Sequence, residues 1–208
     1  TWSKKFDLEY GGAEGMPKFM MPSNLHFLLK YSYQTSNIEI QDFVNLSLKK
    51  MAYGGIYDQI GGGFSRYSVD NRWHIPHFEK MLYDNAQLVS LYSDAYKATK
   101  NELYKKIVYE TIDFINSELK DESGGYYSSL DADSKTSSNV LEEGAFYVWT
   151  EKELKTTLNE DFTVFSSYYN INTYGYWEDD KYVLIRNEDD EMIAARHNLS
   201  ISEIEKII

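Results

Sequence analysis

Cysteine is missing from this 208-residue chain. Its absence excludes a disulfide framework, a thiol nucleophile and a cysteine-ligated zinc. Thiol usage therefore leaves the compartment open, with cytoplasm preferred. Proline is scarce, at three residues, and no low-complexity tract occurs. No apolar run approaches the length of a membrane span, and the first residues carry no signal-peptide pattern, so no membrane partner is expected. Basic clusters are missing as well. Acidic residues outnumber basic ones 33 to 21, the net charge is −12, and no basic run exceeds a Lys-Lys pair. A duplex-binding surface needs clustered cations to displace counterions, so nucleic acid is not an expected partner. Gly61-Gly62-Gly63 is not followed by the Lys-Ser/Thr of a phosphate loop, and no G-x-G-x-x-G joins a strand to a helix. Nucleotide use is disfavoured, no serine-centred elbow appears, and no cofactor is expected.

What is present reads as a globular chain long enough to bury a core, plausible as one domain. Aromatics make up 16% of it, led by 19 tyrosines. Helical patterning dominates. Residues 22–34 open on Pro22 and carry Leu25, Leu28 and Leu29; residues 38–53 repeat apolar groups from Ile40 to Ala52 and stop at Gly54-Gly55. Apolar stripes predict further helices over 78–99 and 102–120, and Thr150-x-x-Glu153 and Ser200-x-x-Glu203 are capping boxes that start two more. Residues 125–130 and 144–149 read as a hairpin around a long polar loop, 131–143, with 181–185 a weaker strand. The chain opens at Thr1 inside what reads as a helix (Trp2, Phe6), so it is expected to be a piece of something larger.

Glycine-aromatic turns recur at Gly11-Gly12, Gly62-Gly63-Phe64, Gly124-Gly125-Tyr126 and Gly175-Tyr176-Trp177. Their spacings are 51, 62 and 50 residues. A period near fifty with two helices per unit predicts stacked helical hairpins, as a solenoid or a closed toroid. An irregular helical bundle with similar turns is the alternative. In a toroid, the loops at one end share a funnel where a site would be assembled.

Residues 54–87 concentrate the chemistry: five glycines, a His-x-x-His pair, Arg66 and several aromatics ahead of a helix. If that helix begins near Phe78, then His77, Lys80 and Asp84 share a face, with Glu79 and Tyr83 as a second pair beside them. A histidine in the first turn is pushed toward its neutral form and can act as a base, with a partly buried carboxylate as acid. The competing reading is a solvated face with an ordinary Lys80–Asp84 ion pair. His74 and His77 with Glu79 could instead hold a metal, but Ile75-Pro76 forces extended backbone between them and no third ligand is clear, so no metal is expected. Arg66, flanked by Tyr67 and Trp73, could clamp an anion or stack on a ring, or staple its own loop. Asp131 and Asp133 sit where a strand runs out. They either point into a pocket or form the turn, the turn being favoured for one of the two. Asp58 has the same status, and His26 and His197 read as structural.

The stretch YGGIYDQIGGGFSRYSVDNRWHIPHFEKMLYDNAQL resembles the core signature of the thioredoxin-domain-containing proteins related to spermatogenesis-associated protein 20. The resemblance extends to FDLEYGGAEGMPKF, GGYYSSLDADS and EGAFYVWTEKEL, over roughly residues 1–185. It implies a mainly α fold: about half of an (α/α) six-hairpin toroid, similar to N-acylglucosamine 2-epimerase and the six-hairpin glycosidases, with short β-hairpin insertions. In that family a thioredoxin-like domain precedes the toroid. This chain, residues 1–208, looks like the first half of the toroid alone, in keeping with its lack of cysteine. Two functions follow as expectations. One is a sugar epimerase or glycosidase-like enzyme, with His77 or His74 as base and Glu79 or Asp84 as acid. Trp73, Tyr67 and Tyr83 would then line a sugar platform, Arg66 would anchor the ligand, and Asp131 and Asp133 would contribute from the loop. The other is a non-catalytic toroid that binds a protein partner or supports the thioredoxin-like domain.

Overall fold

The computed structural model describes residues 2–136 and 138–208, with the side chains of Trp2 and Ser3 left aside. Thr1, where the predicted opening helix starts, lies outside the described residues; Trp2–Lys5 form a short 3-10 turn. The length suggested one domain, but contacts divide the chain into two compact units, one ending at Phe146 and one beginning at Tyr147.

The first unit is built on two helical hairpins. Helices α1 (Pro22–Thr35) and α2 (Ile38–Tyr53) pack together, as do α3 (Leu82–Thr99) and α4 (Glu102–Phe114), and α1 also packs on α3. Both hairpins turn by the same device. A left-handed residue, Ser36 or Lys100, closes the first helix, and an asparagine then caps the second. The Asn37 side chain accepts from the Ile40 N–H at 3.1 Å and that of Asn101 from the Leu103 N–H at 3.0 Å. Each asparagine satisfies a donor that the helix start would otherwise orphan. Between the helices, Val44, Leu48, Met51, Leu88, Leu91 and Tyr92 are buried in one core. The Tyr92 hydroxyl survives there because it donates to the Leu48 carbonyl at 2.8 Å.

Short strands cross the ends of these hairpins. A three-stranded antiparallel sheet joins β1 (Lys18–Phe19), β2 (Tyr67–Ser68) and β3 (Pro76–His77). Strand β4 (Lys80–Met81) pairs with β5 (Ser129–Leu130), and β6 (Asp133–Lys135) with β7 (Leu141–Glu143). The hairpin expected between 125–130 and 144–149 is therefore not formed. The polar loop folds on itself instead, and its two flanks take other partners. α4 also ends sooner than predicted, giving way to a π turn over Ile115–Leu119.

Two glycine turns act through space as well as through conformation. Gly12 has φ +69°, and a Cβ there would lie 2.7 Å from Trp73 Cζ2; Gly63 has φ +78°, and its Cβ would lie 2.4 Å from Phe114 Cδ1. Any side chain at either position would displace a packed ring.

The second unit pairs β8 (Val148–Thr150) with β9 (Lys181–Val183) and adds α5 (Glu151–Leu158), α6 (Phe162–Tyr168), α7 (Asp190–His197) and α8 (Ile201–Ile207). Both predicted capping boxes are present at the starts of α5 and α8. Phe165, Tyr168, Leu184, Ile193 and Ile204 form its core. Among the described residues no helix is long and apolar enough to cross a membrane.

Candidate functional site

The helix predicted to begin near Phe78 begins at Leu82 instead, and residues 76–81 are extended. Burial alternates along them: Pro76, Phe78 and Lys80 face inward, while His77, Glu79 and Met81 face out. That is the period of a strand, so the shared helical face of His77, Lys80 and Asp84 does not exist. Lys80 explains why. Its ammonium donates to Asp58 Oδ2 at 2.7 Å and to the Gly62 carbonyl at 2.8 Å, and it lies 4.5 Å from the centre of the Phe114 ring. The pair expected with Asp84 is replaced by this buried one, and desolvation lowers the Lys80 pKa against the attraction of Asp58. Asp58 also accepts from the Ile60 and Gly61 N–H groups at 3.0 and 2.9 Å. It is a turn-former and a counter-ion.

The extended segment carries its outward residues onto one surface. Register places Phe19 opposite Tyr67 and Tyr67 opposite His77, so the three rings stand in a row on the exposed face of the three-stranded sheet. Adjacent ring centres are 5.0 Å apart in both pairs. Lys18, Ser68 and Pro76 take the buried face. The row ends at the His77 Nδ1 to Glu143 Oε1 contact of 2.7 Å.

Beside this row, the start of α3 and the turn leading into α1 enclose a cleft of about 190 Å³ lined by Phe19, Met20, Met21, Pro22, Arg66, Tyr83 and Asp84. Arg66 reaches it from the strand next to Glu79. The Arg66 N–H donates to the Glu79 carbonyl at 2.8 Å, and Nη1 donates to Glu79 Oε2 at 3.1 Å. That bond raises the Arg66 pKa, so the guanidinium is permanently charged. Asp84 occupies the first turn of α3 and is half-buried. Burial lifts its pKa above the ordinary aspartate value; Arg66 opposes the shift and Glu79 adds to it. Tyr83, 48% exposed, and Phe19, 44% exposed, offer ring surface at its rim. The cleft thus combines a carboxyl whose pKa burial raises, a cation anchored by Glu79 and two aromatic walls.

Other expected site residues lie elsewhere. Trp73 is fully buried, with its Nε1–H bonded to the Tyr10 carbonyl at 2.8 Å and the Lys18 ammonium 5.1 Å from its ring centre. It offers no ring face to a ligand, which corrects its assignment to the platform. His74 is 2% exposed, with Nδ1 2.7 Å from Arg72 Nη2 and its N–H on Asp70. It is held inside the 70–75 turn, which corrects its place as a surface base. The two histidines of the His-x-x-His pair therefore face different partners. Asp131 Oδ1 accepts from the Asp133 N–H at 2.9 Å, so Asp131 takes the turn role. Both aspartates are exposed, and neither is among the residues lining the cleft. His26 bridges α1 and α3 through Asp94, with Nε2 to Oδ2 at 2.7 Å. Phe19 is the site residue that sequence reasoning missed. The available signal was MPKFMMP, in which Phe19 is two residues after Pro17, but its link to Tyr67 is a tertiary pairing.

No protein-family model matches the chain. It is 44% identical over 162 residues to spermatogenesis-associated protein 20 of Mus musculus, an alignment covering 74% of this chain and 20% of the mouse protein. The chain thus spans about a fifth of the length of that relative. Among solved structures it resembles cellobiose 2-epimerase from Bacillus thermoamylovorans B4167, with a TM-score of 0.54 and 15% identity, over 99% of this chain and 50% of that one. It also resembles a sugar epimerase from a ruminal bacterium, with a TM-score of 0.53 and 20% identity, over 62% of this chain and 36% of the other. At such identities the likeness speaks for the fold: helical hairpins of the epimerase toroid, with short antiparallel strand pairs. By sequence, the chain is a homologue of part of spermatogenesis-associated protein 20, carried on a helical-toroid fold.

Proposed function

We propose that the Arg66–Asp84 cleft binds a sugar and that the chain is the carbohydrate-active part of a longer enzyme, epimerase- or glycosidase-like in its chemistry. Fold alone does not carry this, because one fold hosts many activities. The supporting observation is the half-buried Asp84 carboxyl, its pKa raised by burial, in a cleft that also holds a fixed cation and exposed aromatic faces. A rise in pKa by burial is the direction that suits a carboxyl to act on a sugar oxygen as general acid. Glu79, joined to Arg66, is the second carboxylate of the cluster, and His77, two residues before it on the same outward face, is the nitrogen base. Arg66 spends one donor on Glu79 and retains others for hydroxyl groups. Phe19 and Tyr83 supply apolar ring surface against which the C–H face of a pyranose packs. Trp73 and His74 support the turn behind the site and take no part in the chemistry.

The test is incubation of the full chain with a panel of mono- and disaccharides in D2O, followed by NMR for solvent exchange, a new epimer or hydrolysis. Binding is measured in parallel by calorimetry. Turnover that Asp84→Asn abolishes without unfolding the protein supports the reading. A chain that neither binds nor converts any sugar overturns it. That outcome would favour the second reading, a non-catalytic toroid supporting a thioredoxin-like neighbour. The buried state of Trp73 and His74, a structural use for two of the motif's aromatic and histidine residues, already points that way.

A further inference from the structure

A second cavity, of about 160 Å³, shares a wall with the cleft. Phe19, Met20 and Met21 line both spaces. The second is lined mostly by carbon: Phe6, Ala13, Pro17, Leu25 and Phe43 form its remaining apolar surface, and Glu14 and Asn24 are its polar residues beside Lys18. Lys18 contributes its stem, because its ammonium is turned away to Asp7 Oδ2 at 2.5 Å and the Asn71 carbonyl at 2.8 Å. Phe6 and Phe43 stack with ring centres 3.7 Å apart, so one wall is a rigid aromatic face.

Size and chemistry narrow the occupant. A carbon-lined cavity of ~150 Å³ accepts one benzene ring and stays dry without it. A bare sugar, with hydroxyls on every edge, would leave most of those groups unpaired against this largely apolar lining. The adjoining cleft has the opposite character, with Arg66 and Asp84 on its wall. We infer that the two spaces form one divided site, and that its ligand is a glycoside whose sugar occupies the Arg66–Asp84 cleft and whose small apolar aglycone, a single ring or short chain, occupies the Phe6–Phe43 cavity. This rests on the sugar-binding reading above and adds the second half of the ligand. Charge agrees with an uncharged ligand: Arg66 is already matched by Glu79, so the cleft has no unpaired cation reserved for a phosphate or carboxylate.

Calorimetry on the full chain with methyl and phenyl glycosides of the same sugar separates the possibilities, with the sugar chosen from the panel above. The phenyl glycoside is expected to bind at least about tenfold more tightly, the discrimination that an apolar pocket gives a filling group. Ala13→Phe, which fills the cavity from its own wall, is expected to erase that preference. Its folding is checked by far-UV circular dichroism. Equal affinity of the unaltered chain for the two glycosides overturns the divided site and leaves the sugar reading standing. Failure of both to bind removes the sugar reading and the divided site with it. A preference that survives in a folded Ala13→Phe chain places the ring elsewhere and also overturns the inference.

Discussion

Replacing Asn85 with alanine is expected to destabilise the chain strongly, because the carboxamide is buried and fully engaged. Phe64 forms a bridge with Tyr57 in which the flanking bonds run from the Asp58 N–H to the Gly63 carbonyl and from the Ser65 N–H to the Ile56 carbonyl. The Phe64 N–H and C=O therefore point away from that partner. Asn85, fully buried, takes both: Oδ1 accepts from the Phe64 N–H at 2.7 Å and Nδ2 donates to the Phe64 carbonyl at 3.0 Å. The same Nδ2 donates to the Met81 carbonyl at 2.9 Å. The carboxamide acts as a one-residue strand that ties the loop before Arg66 to the helix carrying Asp84. Alanine orphans a buried N–H, at about 1–3 kcal/mol, and withdraws a donor from two carbonyls at about 0.5–1.5 kcal/mol each. The sum is about 2–6 kcal/mol, centred near 4. Urea denaturation followed by far-UV circular dichroism measures it, with an unchanged slope expected. Asn85→Asp retains the acceptor but sets a carboxylate oxygen against two carbonyls. Near neutral pH it should be no better than alanine, and it should recover as acid protonates it. A loss below about 1 kcal/mol for Asn85→Ala would show that the backbone of Phe64 finds other partners and that this tie does not set the site's geometry.

Three further outcomes follow from the same contacts. Asp84 has its folded pKa raised, so its contribution to stability is complete below the unfolded aspartate value and is lost as pH rises through the folded one. Asp84→Asn should therefore leave the protein at least as stable near neutral pH, and the gap should close in acid; if Asp84 is the acid of a sugar reaction, turnover should be lost in the same variant. A series of melting temperatures against pH checks this, and a less stable variant at neutral pH contradicts it. Asp58→Ala should cost about 3–5 kcal/mol, because it takes the carboxylate from the buried Lys80 ammonium, and adding Lys80→Met should recover much of that loss in urea melts. His77→Gln breaks a partly exposed pair with Glu143, so the stability change should stay within about 1 kcal/mol. If His77 is the base, sugar turnover should fall about 100-fold or more in that variant; unchanged turnover would remove it from the chemistry.

The segment from Pro76 to Met81 shows where local pattern stops being informative. Helices α1 and α2 were legible almost to the residue, because Pro22 and the Gly54 stop are local signals that need no distant partner. The hairpin turns carry a further local signature, Thr-Ser-Asn at 35–37 and Thr-Lys-Asn at 99–101, spaced 64 residues apart. Phe78, Met81 and Leu82 also fit a helical stripe if Lys80 is counted as a solvent residue. It is not one. Lys80 belongs to the buried face with Pro76 and Phe78, and Asp58 and the Gly62 carbonyl, 22 and 18 residues away, help make that burial tolerable. Once Lys80 moves inward, the strand period follows, and His77 and Glu79 turn outward together. The candidate site was accordingly half legible. Arg66, Glu79, Tyr83 and Asp84 could be grouped because they lie within one short stretch. Trp73 and His74 were grouped with them for the same reason, although the Tyr10 carbonyl and Asp70 hold them inside. Phe19 could not be grouped, because its place at the cleft comes from strand register with Tyr67, 48 residues on. Proximity in sequence found the charges of the site; its aromatic wall depends on a pairing that no local pattern encodes.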